Sequence, residues 1–320
     1  MTGRVAVLIP CRDEGAVLGR KIRNTLALRF PEGGPHALLV VDDHSIDGTL
    51  EAAFRAAGPG RPDVEVRYLR SRRPPGKTGA LAEGMEATRE FDAVLVTDAD
   101  VLLEPDALLR LLDRLGEPGV GLVSGEARYV RRIEGDAVEG DGETSYDRFS
   151  RWVRRRESRR GRVFSVHGEC LALRPRDGLL PERGIASDDL DLALAARRRG
   201  LAVVYADGAR FYEARPESPR ARAAQDVRRA RSFVQFLARR GGSVFDRRLP
   251  AGDRLRLLAY LSAAGAPFLA VGSVVAVALL ALGGGAYGWV PLVLLLASLA
   301  SARVRGLARR LAILGRAVLE

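Results

Sequence analysis

The sequence holds little cysteine and almost no lysine. Its two cysteines, Cys11 and Cys170, stand far apart. Two thiols make neither the disulfide framework of a small secreted domain nor a four-ligand zinc site, so a reduced, cytosol-facing protein is expected. Lysine appears only at positions 21 and 77, among 51 basic residues. The remainder is arginine, which fits a coding bias. The chain also lacks G-x-G-x-x-G and G-x-x-x-x-G-K-[ST], which disfavours a dinucleotide cofactor and a P-loop ATPase. The opening "MTGRVAVLIPCRDEG" reaches charges after six apolar residues, too short a run for a signal peptide. Finally, residues 257–302 carry no charge at all.

What is present is a chain of 320 residues with net charge +11. Such a charge favours anionic partners: phosphates, an acidic membrane surface or nucleic acid. No nucleic-acid reading motif accompanies it, so no nucleic-acid partner is expected.

Apolar runs and helical spacings alternate along the first third. "RVAVLIP", "HALLVVDD", "DVEVRYLR" and "DAVLVTD" read as strands. "EGAVLGRKIRNTLAL", "DGTLEAAFRAAG", "GKTGALAEGMEATREF" and "EPDALLRLLDRLG" read as helices, the last with Pro105 in its first turn. This alternation predicts βαβ units, an α/β class and a mostly parallel sheet, with ligands at the carboxyl ends of the strands. Further on, "GVGLVSGEARY", "RVFSVHGECLALR" and "LAVVYA" are strand-like. "TSYDRFSRWVRRRESRRG", "SDDLDLALAARRRG" and "SPRARAAQDVRRARSFVQFLARRGG" are helical. The last is a long amphipathic helix with Val227, Phe233, Val234 and Leu237 on its apolar side.

Residues 257–283 suffice to cross a hydrocarbon core of about 30 Å, and 286–302 are at the short end of a span. Arginines before the first and after the second put residues 1–250 on the cytoplasmic side. The tail 303–320 suits an interfacial amphipathic helix. The expectation is a catalytic domain over 1–245, with halves 1–115 and 116–245, and a membrane region over 246–320. That makes a multi-pass protein of the inner (cytoplasmic) membrane.

Chemistry concentrates at the predicted strand ends. Asp98 and Asp100 close an apolar strand and, if extended, point the same way. Two like charges there call for a cation. A divalent Mg2+ or Mn2+ with a bound diphosphate meets that need, because these ions take carboxylate oxygens together with phosphates. Asp42 and Asp43 end the second strand, where a carboxylate can accept from a base or ribose. Ser45, Asp47 and Gly48 beside them suit a turn and a helix cap.

Taken in order, "VAVLIPCRDE", "LLVVDDHSIDGT", "GKTGALAEG", "LVTDADVLLEPDAL" and "SDDLDLALAARRRGLAVVYA" resemble the family 2 glycosyltransferases over roughly residues 4–235. The resemblance implies an inverting enzyme of GT-A fold: a nucleoside-diphosphate-sugar-binding half followed by an acceptor-binding half. It implies that Pro10, Arg12 and Glu14 meet the nucleotide, with Asp13 in place of the usual Asn. It gives Asp43 the base, with Asp42 beside it, and places Lys77 near the donor, although Ala82 stands where an Asn often follows. Asp98 and Asp100 match the D-x-D, Asp100 being the stronger metal-ligand candidate. Ser187-Asp188-Asp189 matches the acceptor motif whose last aspartate, Asp189, is the general base. The same three residues also make a good helix N-terminus.

His167 and Gly168 fall where the family lines its acceptor pocket. Gln225 and Arg228 match part of Q-x-x-R-W, but Arg229 replaces the Trp, so a processive polysaccharide synthase is not expected. The implied reaction moves a sugar, expected from a UDP-sugar, to a lipid-linked or envelope glycan acceptor. Alternatives are transfer to a polyprenyl phosphate and a catalytically silent membrane scaffold.

Overall fold

The computed structural model describes residues 3–58, 60–182, 184–185, 187–262 and 264. The chain divides into two compact units, one ending at Glu217 and the other beginning at Ser218.

The first unit opens with β1 (Val5–Cys11), α1 (Gly15–Leu26), β2 (His36–Asp42), α2 (Thr49–Ala57), β3 (Val64–Arg70), α3 (Lys77–Ala87) and β4 (Ala93–Thr97). These strands lie parallel in the order β3-β2-β1-β4. Every residue of β1, β2 and β4 is buried. Strands covered on both faces read as unbroken apolar runs, which is why the sequence shows them so clearly. Alternate residues serve two cores. Val5, Val7 and Ile9 pack in the layer that holds Leu18 and Ile22 of α1. Ala6 and Leu8 pack in the layer that holds Ala80, Leu81 and Met85 of α3.

The unit continues with β5 (Leu102–Leu103), α4 (Ala107–Leu115), β6 (Val120–Glu134), β7 (Ala137–Asp141), α5 (Ser145–Ser158), β8 (Cys170–Leu173), α6 (Asp188–Arg198) and β9 (Ala202–Ala214). The full sheet order is β3-β2-β1-β4-β8-β6-β9-β5, with β7 beside β6. Here the expectation of a mostly parallel sheet is corrected. β8 runs antiparallel to β4 and β6, β5 antiparallel to β9, and β7 antiparallel to β6, while β6 and β9 are parallel. An apolar run reports burial and not direction, so a buried antiparallel strand such as Cys-Leu-Ala-Leu reads the same as a parallel one.

Two boundaries also shift, and two short strands are added. The strand-like stretch 162–174 yields only the four residues of β8. Pro105 precedes α4, which starts after Asp106. β5 and β7 were not anticipated, the first being two residues long and the second fully exposed.

The second unit begins with α7 (Pro219–Arg240), whose first turn is closed by Ser218 Oγ accepting from the Ala221 N–H. A 3-10 turn, Gly241–Phe245, follows. Residues 251–262 are helical. The Phe233 ring meets Tyr260 edge-on at 5.2 Å. Among the described residues no helix is long and apolar enough to cross a membrane. Most of the predicted span 257–283, all of 286–302 and the tail 303–320 lie outside the described residues.

Candidate functional site

The loops after β1, β2 and β4 meet at the carboxyl edge of the parallel strands. The first two are latched together. The Asp13 N–H donates to Ser45 Oγ (2.9 Å), and Asp13 Oδ1 accepts from the Ile46 N–H (3.0 Å). The Glu14 N–H donates to Thr49 Oγ1, and the Gly15 N–H to Asp47 Oδ2. Asp13 and His44 both sit at positive φ, 53° and 62°. Aspartate, asparagine and histidine tolerate that region better than other side-chain-bearing residues, so the Asn-to-Asp replacement at 13 keeps the loop geometry. His44 Nε2 lies 2.8 Å from the Arg73 carbonyl, drawing a third loop into the cluster.

Asp42 and Asp43 are both buried. Asp42 Oδ1 accepts from the Ser45 N–H, and its Oδ2 lies 3.6 Å from Arg70 Nε. Both oxygens of Asp43 lie 2.9 Å from the Gly76 N–H, and Arg12 reaches within 4.0 Å. Gly76 has φ of 143°, a conformation that favours glycine, and it is the residue before α3. Asp43 therefore fixes the entry to the helix that begins with Lys77. Pro10 is buried within β1 opposite Val41 and shapes the strand end. Arg12 is exposed.

Lys77 crosses to the β4 loop. Its Nζ lies 2.8 Å from Asp98 Oδ1 and 2.9 Å from Oδ2. Burial opposes the charge on Lys77, but Asp98, Asp188 and Glu169 outweigh it and push its pKa up. β4 ends at Thr97, and residues 99–100 form a turn. The extended geometry expected of Asp98 and Asp100 is therefore replaced by a bend: Asp98 is partly buried on Lys77, and Asp100 is exposed. Asp100's carboxyl still has protein close about it. That desolvation, with Asp98 beside it, raises its pKa. Glu14 is pushed up to about 7, first by burial and then by Asp100 and Asp98.

The edge is thus short of positive charge. Among the described residues no three acidic, histidine or cysteine side chains gather as a ready metal cage. What the edge offers a metal is carboxylate oxygen alone, from Asp100 and Asp98, with crowded anions that a dication would relieve. That donor set fits Mg2+ or Mn2+ completed by water and phosphate, and it does not suit zinc.

Lys21 was not anticipated as a site residue. It is wholly buried on α1, and its Nζ donates to Thr97 Oγ1 (2.8 Å) and to the Val101 carbonyl (3.0 Å). These partners bracket Asp98–Asp100. Burial lowers its pKa to about 7, against the pull of Cys170, Asp98 and Asp100. The signal was its place in the stripe Leu18, Lys21, Ile22, Thr25, where the spacing of α1 calls for apolar residues.

On the far side of β4, Asp188 and Asp189 open α6. Ser187 stands at the cap position without a side-chain cap bond, while Asp189 Oδ1 accepts from its neighbour, the Leu190 N–H (2.8 Å). Burial first, then Asp188 and Glu169, push Asp189 up to about 7. Asp188 is also raised, by burial and by Asp98, with Lys77 opposing. Gly168 packs directly on Asp189: a Cβ there would lie 3.2 Å from the Asp189 Cβ. His167 donates its backbone N–H to Ser124 Oγ, and its ring meets Phe211 edge-on. It helps line a cavity with Tyr129, Tyr146, Asp147, Ser150, Arg151, Arg154 and Tyr205. Of these, Arg151 is held by Glu143 and Glu126. Gln225 and Arg228 lie on α7, in the second unit.

Comparison with other proteins gives a consistent picture. The profile of the family described as "Glycosyltransferase like family 2" matches residues 3–232. Beta-monoglucosyldiacylglycerol synthase of Trichormus variabilis is 26% identical over 197 residues, 59% of this chain. The Nostoc sp. protein of the same name is 25% identical over the same length. The match spans 40% of the length of these relatives. Among solved structures, the mannosyltransferase PcManGT of Pyrobaculum calidifontis, solved with GDP-Man and Mn2+, superposes with a TM-score of 0.71. The match covers 100% of this chain and 87% of that one at 23% identity. Glucosyl-3-phosphoglycerate synthase of Mycobacterium tuberculosis, solved with Mn2+ and UDP, gives 0.50 over 75% of this chain and 80% of that one at 18% identity. These two show the shared fold.

Proposed function

This chain belongs to the glycosyltransferase-like family 2, and from that premise we propose that it moves a sugar from a nucleoside diphosphate to a lipid-borne or envelope glycan acceptor, with inversion. The observation that carries the reading is the position of Lys77. Its Nζ lies 2.8 Å from Asp98 Oδ1 in the D-x-D loop, and the next residue, Thr78, donates to the Ile185 carbonyl (3.0 Å), three residues before Asp188. This supports a reading in which donor end and acceptor end meet at the start of α3.

In this reading Asp43, Arg12 and the latched loops after β1 and β2 hold the nucleoside. Asp100 and Asp98 would hold a divalent metal, and such an ion would supply positive charge to offset that of the leaving diphosphate. Lys77 supplies a further positive charge at the same edge. Asp189 takes the proton of the acceptor hydroxyl as that oxygen attacks the anomeric carbon, and one displacement inverts the configuration. Gly168 lets the backbone approach Asp189 closely enough to set the carboxylate's place. The cavity beside His167 receives the acceptor.

The named relatives support the reading at different levels. The curated ones make a glucosyldiacylglycerol, which favours a lipid acceptor. The solved ones bind GDP-Man or UDP with a metal. A UDP-sugar remains our choice of donor, and the uncharged stretches at 257–283 and 286–302 our choice of anchor, with the first unit in the cytoplasm at the inner membrane. The test is a transfer assay in membranes carrying the chain, with radiolabelled UDP-glucose and GDP-mannose and with Mn2+. Transfer to a lipid extract that Asp189→Asn abolishes supports the proposal. Hydrolysis without lipid labelling, or labelling unchanged in the variant, contradicts it.

A further inference from the structure

We propose that the outer face of α5 is a membrane-docking surface that lies on an anionic lipid bilayer beside the acceptor cavity. The helix has two distinct faces. Asp147, Ser150, Arg151 and Arg154 line the cavity on the inward side. Phe149 and Trp152 project outward, 59% and 55% exposed, and Tyr146 stands at the junction, lining the cavity while 60% exposed. Residues three apart on a helix share a side, so the aromatics form one stripe. Single exposed apolar residues are ordinary on a soluble protein, whereas a stripe of large aromatics on one helix is not.

Cations flank that stripe. Arg148, Arg156, Arg159 and Arg160 are exposed, and none meets a carboxylate among the described residues. The Arg156 guanidinium sits 5.8 Å from the centre of the Trp152 ring. Aromatic rings with arginines around them match the headgroup boundary of a bilayer: rings enter the interface while guanidinium groups meet phosphate. Single-stranded nucleic acid fits less well. It needs open ring faces to stack on, and here Phe149 and Trp152 stack on each other at 5.9 Å while Arg156 approaches the Trp152 ring. The charge-free stretch 257–302 independently favours a chain that works close to a bilayer.

The purpose of the surface rests on the transferase reading: it would present the cavity mouth to a lipid-borne hydroxyl. The contact itself does not depend on that reading. Trp152 and Trp289 are the two tryptophans of the chain, so Trp289→Phe in the full-length protein leaves Trp152 as sole reporter. Reconstituted into phosphatidylglycerol vesicles with brominated acyl chains, Trp152 should shift to shorter wavelength and be quenched, and less so in phosphatidylcholine. Adding Arg148→Glu, Arg156→Glu and Arg159→Glu should remove most of the quenching without changing the unfolding temperature. In that variant transfer to a bilayer acceptor should fall at least tenfold, while transfer to a detergent-dispersed acceptor stays. Emission that remains aqueous and equally open to acrylamide in both lipids overturns the proposal. So does a lipid-independent shift produced by oligonucleotide or by raising protein concentration. If no sugar is transferred under any condition, the transferase reading fails while the fluorescence result still decides the surface.

Discussion

Lys77 Nζ lies 2.8 Å from one oxygen of Asp98 and 2.9 Å from the other, and so joins the first turn of α3 to the end of β4. That bridge is built from a backbone contact one residue earlier, the Gly76 N–H on Asp43. A carboxylate at the end of β2 thereby sets a lysine that serves the end of β4. Lys77→Met should leave Glu14, Asp98, Asp100 and Asp188 facing one another uncompensated. We expect kcat/KM to fall by about 10- to 100-fold, the usual weight of a charge-assisted bond realised at a reacting centre. Lys77→Arg should recover only part, since a planar fork does not replace a point charge. Steady-state kinetics with saturating Mn2+ reads both; equal kcat/KM in wild type and Lys77→Met contradicts the assignment.

Asp189 gives a pH prediction with a defined sign. Its pKa is held up at about 7 by burial, Asp188 and Glu169, and only the ionised form accepts a proton. Activity should therefore rise with pH through about 7 and fall roughly tenfold per unit on the acid side, the limb belonging to the Asp188–Asp189 pair. Stability runs the other way. The folded state binds more protons than the unfolded chain between the ordinary carboxylate range and about 7, so this group's contribution declines as pH rises through that window. Asp189→Asn should thus melt higher than wild type at pH 8 and no higher at pH 4, while losing transfer. A flat activity profile down to pH 5 would count against Asp189 as the base.

Gly168 tests placement apart from charge. A methyl group at this position comes within 3.2 Å of the Asp189 Cβ, so one of the two must yield by a few tenths of an ångström. Gly168→Ala should lower kcat by about tenfold, since small misplacements of a reacting group are costly. Melting temperature and nucleotide affinity should change little. Unchanged kcat would detach Gly168 from the reaction.

Lys21 should act on the D-x-D loop from beneath. Its ammonium ties Thr97 to Val101, with the metal candidates between them. Lys21→Met should weaken Mn2+-dependent nucleotide binding by about tenfold, roughly the worth of one lost hydrogen bond to a charged donor. Its pKa, lowered to about 7, also carries a sign. Between about 7 and the ordinary lysine range the unfolded chain binds more protons, so this group's contribution to stability improves as pH rises there and is least favourable below 7. Urea midpoints at pH 7 and 9 should differ less in Lys21→Met than in wild type; an equal difference would contradict the burial argument.

Much of this was legible in the residues because the parallel half is built from unmixed signals. β1, β2 and β4 are buried on both faces and read as apolar runs, and each ends in acidic residues or a charged loop. The helices between them carry the spacing that buries Leu18 and Ile22. Legibility failed where the physics is not local. The direction of β8 depends on the path taken by the chain through β6 and α5. The bend at Asp98–Asp100 depends on Lys77 and Lys21, which come from two other helices. Lys21 itself was hidden because a lysine suggests solvent unless its place in the apolar stripe is weighed first.

The central claim is metal-assisted binding of a nucleoside diphosphate at Asp98 and Asp100. The measurement that tests it most directly is thermal unfolding with UDP and GDP, with and without Mn2+, in wild type and Asp100→Ala. At a hundredfold excess over its dissociation constant a ligand stabilises by about 2.7 kcal/mol. We predict that shift for UDP with Mn2+ in wild type, with far smaller shifts without metal and in the variant. Equal shifts with and without Mn2+, or none with either nucleotide, would contradict the account.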